Sequence, residues 1–172
     1  MSTGAGAGLP GFMLDRMVTL DVNLRAVRDE DIPVFYEQQL DPVATEMAAF
    51  PPREWPEFET HWRRVRRDES NVTRTIVVNG EVAGNIGSFV LDDQRLVGYW
   101  LGRTYWGQGI ATGAIHAFLR EVVNRPLLAH VAEHNTGSRR VLEKNGFQLI
   151  SQHRSASTGS LPEIVELLFQ LG

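Results

Sequence analysis

The chain has 172 residues, enough for one domain whose core needs no disulfide or metal staple. It contains no cysteine, which excludes a thiol nucleophile, a thiolate zinc site and any disulfide framework. Seventeen Lys and Arg against 21 Asp and Glu leave a net charge of −4, the wrong balance for a dedicated nucleic-acid binder, and no apolar run reaches the length of a membrane span.

MSTGAGAGLPG lacks the basic start and apolar stretch of a signal peptide and reads as an arm over residues 1–16, ahead of a domain over 17–172. A cytoplasmic protein is the default expectation, and an arm that folds over a partner is the rarer alternative. VTLDVNLRAV (18–27) alternates with period two and predicts a strand. Asp31 before Ile32-Pro33 marks a helix start, with Ile32, Phe35, Tyr36 and Leu40 on one face. Asp41-Pro42 repeats the signal, and Val43, Met47 and Phe50 line the next face. Trp55, Phe58, Trp62 and Val65 set a core stripe for a third helix over 54–67. Its Arg63, Arg64, Arg66 and Arg67 read as a solvated face before a phosphate contact, and His61 as a residue flanking the stripe.

TRTIVV (73–78), Asn79-Gly80 and EVAGNIGSFVL (81–91) predict a tight hairpin, because both turn positions favour positive φ. Asp92-Asp93 turns the chain into RLVGYWL (95–101). From Gly107 onward Ile110, Ala114, Phe118, Leu119 and Val122 form one helical stripe, ended by Arg125-Pro126. LLAHVA (127–132) predicts a strand. TGSRRVLEK (136–144) predicts a short helix closed by Asn145-Gly146. FQLISQH (147–153) and EIVELLFQL (163–171) are the last strands. This order predicts an α/β domain, a mixed and mostly antiparallel sheet of about seven strands flanked by helices.

Trp106-Gly107-Gln108-Gly109-Ile110-Ala111-Thr112 lies between a strand and a long helix. Small residues there let backbone N–H groups approach a ligand, and the helix N-terminus favours a pyrophosphate. A plain strand-to-helix turn fits the same residues. A dinucleotide fingerprint would need glycine where Thr112 stands, although Glu133 lies near the position of its ribose partner. A P-loop would need a Gly-Lys-Ser/Thr that is missing.

GYWLGRTYWGQGIATGAI followed by EHNTGSRRVLEKNGF resembles the GNAT superfamily of acetyl-CoA-dependent N-acetyltransferases, most closely its ribosomal-protein N-terminal acetyltransferase branch. Gly109-Ile110-Ala111 matches the glycine-rich end of the acetyl-CoA signature, with Trp106 where Gln or Arg is usual. Asn135, Ser138 and Glu143-Lys144-Asn145-Gly146-Phe147 match the second signature at its spacing. The resemblance implies a cytoplasmic single-domain GNAT fold that transfers acetyl from acetyl-CoA to an amine. It also implies that the amides of Gly107, Gln108, Gly109, Ile110, Ala111 and Thr112 cradle the pyrophosphate. Tyr99, Trp100 and Leu101 would splay from the next strand to bind the pantetheine, with the Leu101 N–H facing the thioester oxygen. Asn135 would hold the pantetheine arm, and capping the helix is an equal alternative.

The family pattern fails at two roles. The tyrosine that many relatives use to protonate the thiolate is Leu142 here, which makes Ser138, one turn earlier, the candidate general acid. The general base is unassigned. Leu96 and Ser157 stand where relatives carry Glu, and Asp92, Asp93, Glu163, His61, His130 and His134 are not ranked by sequence. The implied partners are acetyl-CoA and an amine, with no metal, nucleic acid or membrane, and a homodimer is open. The rivals are a non-catalytic acyl-CoA-binding module on the same fold and a small dinucleotide-binding protein. The early helices and the loop near 154–162 would set the amine acceptor.

Overall fold

A computed structural model describes residues 20–155 and 163–172. The arm at 1–16, the first residues of the 18–27 strand, Ser157 and most of the 154–162 loop therefore lie outside the described residues. The elements are β1 (Val22–Ala26), α1 (Asp31–Gln39), α2 (Pro42–Ala48), α3 (Trp55–Arg67), β2 (Val72–Val78), β3 (Glu81–Leu91), β4 (Gln94–Leu101), α4 (Ile110–Glu121), β5 (Leu127–Ala132), α5 (Thr136–Lys144), β6 (Gln148–Ser155) and β7 (Ile164–Leu171). The strands form one sheet in the order β1-β2-β3-β4-β5-β7-β6. Among the described residues only β4 and β5 run parallel; every other neighbouring pair is antiparallel. Among the described residues no helix is long and apolar enough to cross a membrane.

Alternation along the strands divides the core in two. Ile76, Val78, Ala83, Ile86, Val97, Leu101, Ala129 and Val131 pack with Ile110, Ala114, Ile115 and Phe118 of α4 and Leu142 of α5. The opposite face carries a smaller cluster of Ile32, Phe35, Phe58 and Trp62 from α1 and α3. The Asn79-Gly80 turn has φ of 50° and 86°, as its residues require. Gly84 on β3 admits no side chain, because a Cβ would collide with the Trp100 carbonyl oxygen across the ladder.

Several boundaries differ from the sequence expectation for local reasons. The chain from Gly107 does not enter α4 at once, since Gly107 and Gly109 both hold positive φ and the first helical residue is Ile110. A 3-10 turn over Arg103–Tyr105 precedes them. The helix ends at Glu121, four residues before Arg125, because Val122 adopts extended backbone while its side chain stays buried. α2 also departs from expectation. Val43 and Phe50 are exposed, as is Leu40, and α2 buries only Ala44. It is a cover over the sheet rather than a core element.

Asp31, expected to mark a helix start, is the first residue of α1 and is fully buried. Its carboxylate accepts from both terminal nitrogens of the Arg25 guanidinium at 2.6 and 2.7 Å, from the Thr75 hydroxyl at 2.6 Å and from the Arg28 N–H at 2.9 Å. One side chain thereby ties β1, β2 and α1 together.

Candidate active site

β4 and β5 are in register only at Leu96 and Leu128. Beyond that pair they diverge, and the V opens toward Leu101 and Ala132. A cavity of about 480 Å³ occupies the opening, reaching from Tyr99, Trp100 and Leu101 to the glycine turn and α5, with Met47 and Ala48 of α2 above it. Of the cofactor-binding residues implied by sequence, Tyr99, Trp100, Leu101, Trp106, Gly107, Gly109, Ile110, Ala111, Thr112, Asn135 and Ser138 line it. Gln108 does not; its side-chain amide donates to the Thr104 carbonyl at 2.8 Å.

Gly102 donates its N–H to the Ala83 carbonyl of β3. By the alternation of an antiparallel ladder, the Leu101 N–H and C=O then point away from β3, toward the V. The Leu101 carbonyl is taken by the Trp106 indole N–H at 2.8 Å, which fixes the tryptophan at the mouth of the turn. Gly109 sits at φ 77° as the N-cap of α4, with no cap hydrogen bond from a side chain. The first N–H groups of α4 thus face the cavity mouth without a covering side chain, the arrangement an anion needs.

Asn135 caps α5, its Oδ1 accepting the Ser138 N–H at 3.0 Å. Among the described residues the Ser138 hydroxyl has no backbone partner. It shares a 2.9 Å hydrogen bond with the Tyr99 phenol, which burial holds above its ordinary pKa against the opposing pull of that bond. The pair is a protonated hydroxyl couple at neutral pH, placed inside the V. Sequence reading missed this partnership, and also Arg140 and Lys144 on the α5 wall. Among the described residues neither cation has a carboxylate partner. Their i, i+4 spacing on the helix that follows the Asn135 motif was the available signal.

α2 is held over the V from two sides. Arg103 pairs with its cap residue Asp41 at 2.8 Å, and the His134 Nε2 lies 2.9 Å from the Glu46 carbonyl. The base candidates now separate. Asp92 and Asp93 form the distant β3–β4 turn, and Glu163 pairs with Arg154 at 3.2 Å. His61 lies edge-on to Trp62 in the α3 cluster, where burial and then Arg53 and Arg64 depress its pKa. Arg63 and Arg66 pair with Glu59 and Asp29, in keeping with a solvated face.

The family profile described as an acetyltransferase (GNAT) domain matches residues 21–148. The chain belongs to the GNAT acetyltransferase family. This GNAT is accordingly an acyl-CoA-dependent N-acetyltransferase, with the single-domain α/β fold that the motifs implied. No curated relative matches the sequence. Solved structures with the same fold include the Salmonella typhimurium acetyl transferase that modifies the N-terminal serine of ribosomal protein L7/L12, at 18% identity and TM-score 0.74, covering 87% of this chain and 94% of that one. A Bacillus anthracis GNAT acetyltransferase superposes at TM-score 0.73 with 16% identity over 87% and 93% of the two chains. Spermidine N-acetyltransferase from Vibrio cholerae, solved with CoA and spermine, gives TM-score 0.73 at 14% identity over 87% and 95%.

Gly109→Val places a β-branched residue at φ 77° and strains the turn whatever it binds. Gly109→Ala is the better variant: its Cβ meets nothing within 4 Å, and the left-handed backbone strains it less than a β-branched residue. We expect a folded protein, about 1 kcal/mol less stable, with acetyl-CoA bound at least about tenfold more weakly. Circular dichroism and calorimetry on the same sample check both. A folded variant of unchanged affinity would place the phosphate site elsewhere.

Proposed function

We propose that this GNAT transfers acetyl from acetyl-CoA directly to an amine, preferring an α-amine or another weakly basic amine. The observation that carries the reading is the splayed parallel pair β4–β5, which opens into a cavity flanked by a bare helix N-terminus and two cations. Each part of that cavity suits one part of the ligand. The N–H groups from Gly107 to Thr112 would take the pyrophosphate, and Arg140 and Lys144 would add charge there. The outward backbone of Tyr99 and Leu101 would bond the pantetheine as an added strand does. Bound acetyl-CoA supplies the reactive thioester.

The chain's own groups then divide the labour. The Leu101 N–H would stabilise negative charge on the thioester oxygen, where a fixed donor needs no reorganisation. Ser138 would give its proton to the departing sulfur and be backed by the Tyr99 phenol. With no cysteine in the chain, the amine takes the acetyl group without a thiol-bound acyl-enzyme. Proteins of this fold act on a protein N-terminus in one case and on a polyamine in another, and the α-amine is the weaker base of the two.

Titration calorimetry with acetyl-CoA, CoA and NADH tests the ligand. Binding of acetyl-CoA and of CoA, and none of NADH, is expected. Binding of NADH alone would return the turn to the dinucleotide class.

A further inference from the structure

Resting on the acyl-transfer reading, we propose that His130 is the general base for the attacking amine, with Glu166 as the positioning residue that orients its imidazole. Leu96 and Leu128 mark the vertex of the V. One two-residue step beyond it stand Gly98 on β4 and His130 on β5. The period of two puts His130 on the same face as Leu128, opposite Ala129 and Val131, which belong to the main core. A hollow of about 120 Å³ adjoins this point on the α4–α5 side of the sheet, where His130 and Gly98 border Tyr99, Ser138 and the core residues Ile115 and Leu142. His130 thus borders the hollow that holds the hydroxyl couple, with its imidazole on the other face of the sheet. An acid and a base that flank one gap are what direct transfer requires, since the amine arrives on one side of the carbonyl as sulfur leaves on another.

The neighbours of His130 suit the role. Its Nδ1 lies 3.0 Å from the Glu166 Oε2 on β7. A carboxylate at that distance favours the tautomer with the proton on Nδ1, which leaves the Nε2 lone pair to accept a proton. His153 of β6 stands opposite Glu166 in the β6–β7 register, and is the other titratable group at that position of the ladder. Gly98 leaves the facing strand bare, with nothing within 4 Å of where a Cβ would be, so an amine has room beside the imidazole. His134 is the nearest histidine in sequence, but its Nε2 is already against the Glu46 carbonyl.

In the step itself the substrate ammonium gives one proton to the His130 Nε2. The nitrogen lone pair then forms the N–C bond, and the C–S bond breaks with its electrons on sulfur. Of the two protons that nitrogen loses, one leaves through His130 to water and the other balances the proton that sulfur takes up through Ser138. Ammonium and thioester become amide, thiol and one released proton.

The test uses the full chain with acetyl-CoA and a panel of three amines: a lysine-free peptide with a free N-terminus, an N-acetylated peptide with one lysine, and spermidine. We expect His130→Ala and His130→Gln to bind acetyl-CoA with wild-type affinity by calorimetry and to lose about 100-fold or more in kcat at neutral pH. The loss should shrink as pH rises and the amine deprotonates unaided, and added imidazole should restore part of the rate to His130→Ala. Glu166→Gln should lose less, in kcat and not in KM for acetyl-CoA. A His130 variant with wild-type kcat, or with a loss equal at every pH and untouched by imidazole, overturns the base while the acyltransferase reading stands. A wild type that neither binds acetyl-CoA nor acetylates any of the three amines overturns that reading, and the base with it.

Discussion

Asp31→Ala is expected to cost this protein about 3 kcal/mol of unfolding free energy at neutral pH, the lower end of the range for removing one partner of a buried ion pair. The variant leaves the Arg25 guanidinium without its two-pronged acceptor, and the Thr75 hydroxyl and Arg28 N–H without theirs. Burial alone would push the Asp31 carboxyl up. The bonds from Arg25, Thr75 and the Arg28 backbone, with the Arg25 charge, outweigh it and hold the group at about 2, against 3.8 ordinarily. A carboxyl whose pKa is depressed on folding contributes stability above its unfolded pKa, and loses it as pH falls through the folded one. That linkage is worth about 2 kcal/mol at neutral pH, and it fades between roughly pH 5 and pH 2. Urea unfolding of wild type and variant at pH 7 and pH 3 should therefore show a gap that narrows in acid. A gap below about 1 kcal/mol at pH 7, or one that ignores pH, would mean that the Asp31 network is not coupled to folding.

The role of Asp31 also marks where sequence reading stops. Its position before Ile32-Pro33 looks like a cap, and Asp41 before Pro42 looks the same. Asp41 is a cap, accepting from the Val43 and Ala44 N–H groups. Asp31 differs only because Thr75, 44 residues away, and Arg25 meet it in three dimensions. Signals carried within a few residues were legible: the Asn79-Gly80 turn, the glycine turn and the Asn135 cap. So was the family resemblance, whose two motifs pointed to the fold. The walls contributed by other elements were not legible. Met47 and Ala48 reach the cavity only because α2 is pinned by Arg103 and His134, and the Tyr99–Ser138 bond spans 39 residues. His130 left a readable trace. A central strand covered on both faces is apolar throughout, and one histidine inside LLAHVA marks the place where the cover is open.

That opening bears on which amine reacts, the prediction with the other large expected effect. A lysine ammonium near 10.4 must give up its proton against about 3.4 pK units at pH 7, or roughly 4.6 kcal/mol. An α-ammonium near 8 faces about one unit, or roughly 1.4 kcal/mol. The difference of about 3 kcal/mol corresponds to a few hundred-fold in reactive amine. Proton transfer to His130 lowers the cost for both amines by the same amount and leaves the gap in place, since the same base receives either proton. Peptides with only a free N-terminus should accordingly be acetylated faster than peptides with only a free lysine at pH 7, and the ratio should fall toward unity as pH approaches 10. Both trends are read from one set of initial rates. Faster turnover of the lysine peptide at pH 7 would mean that the acceptor side of the V binds an extended alkyl-ammonium strongly enough to offset those 3 kcal/mol, and the search for specificity would then move to α2 and the exposed face around Glu166.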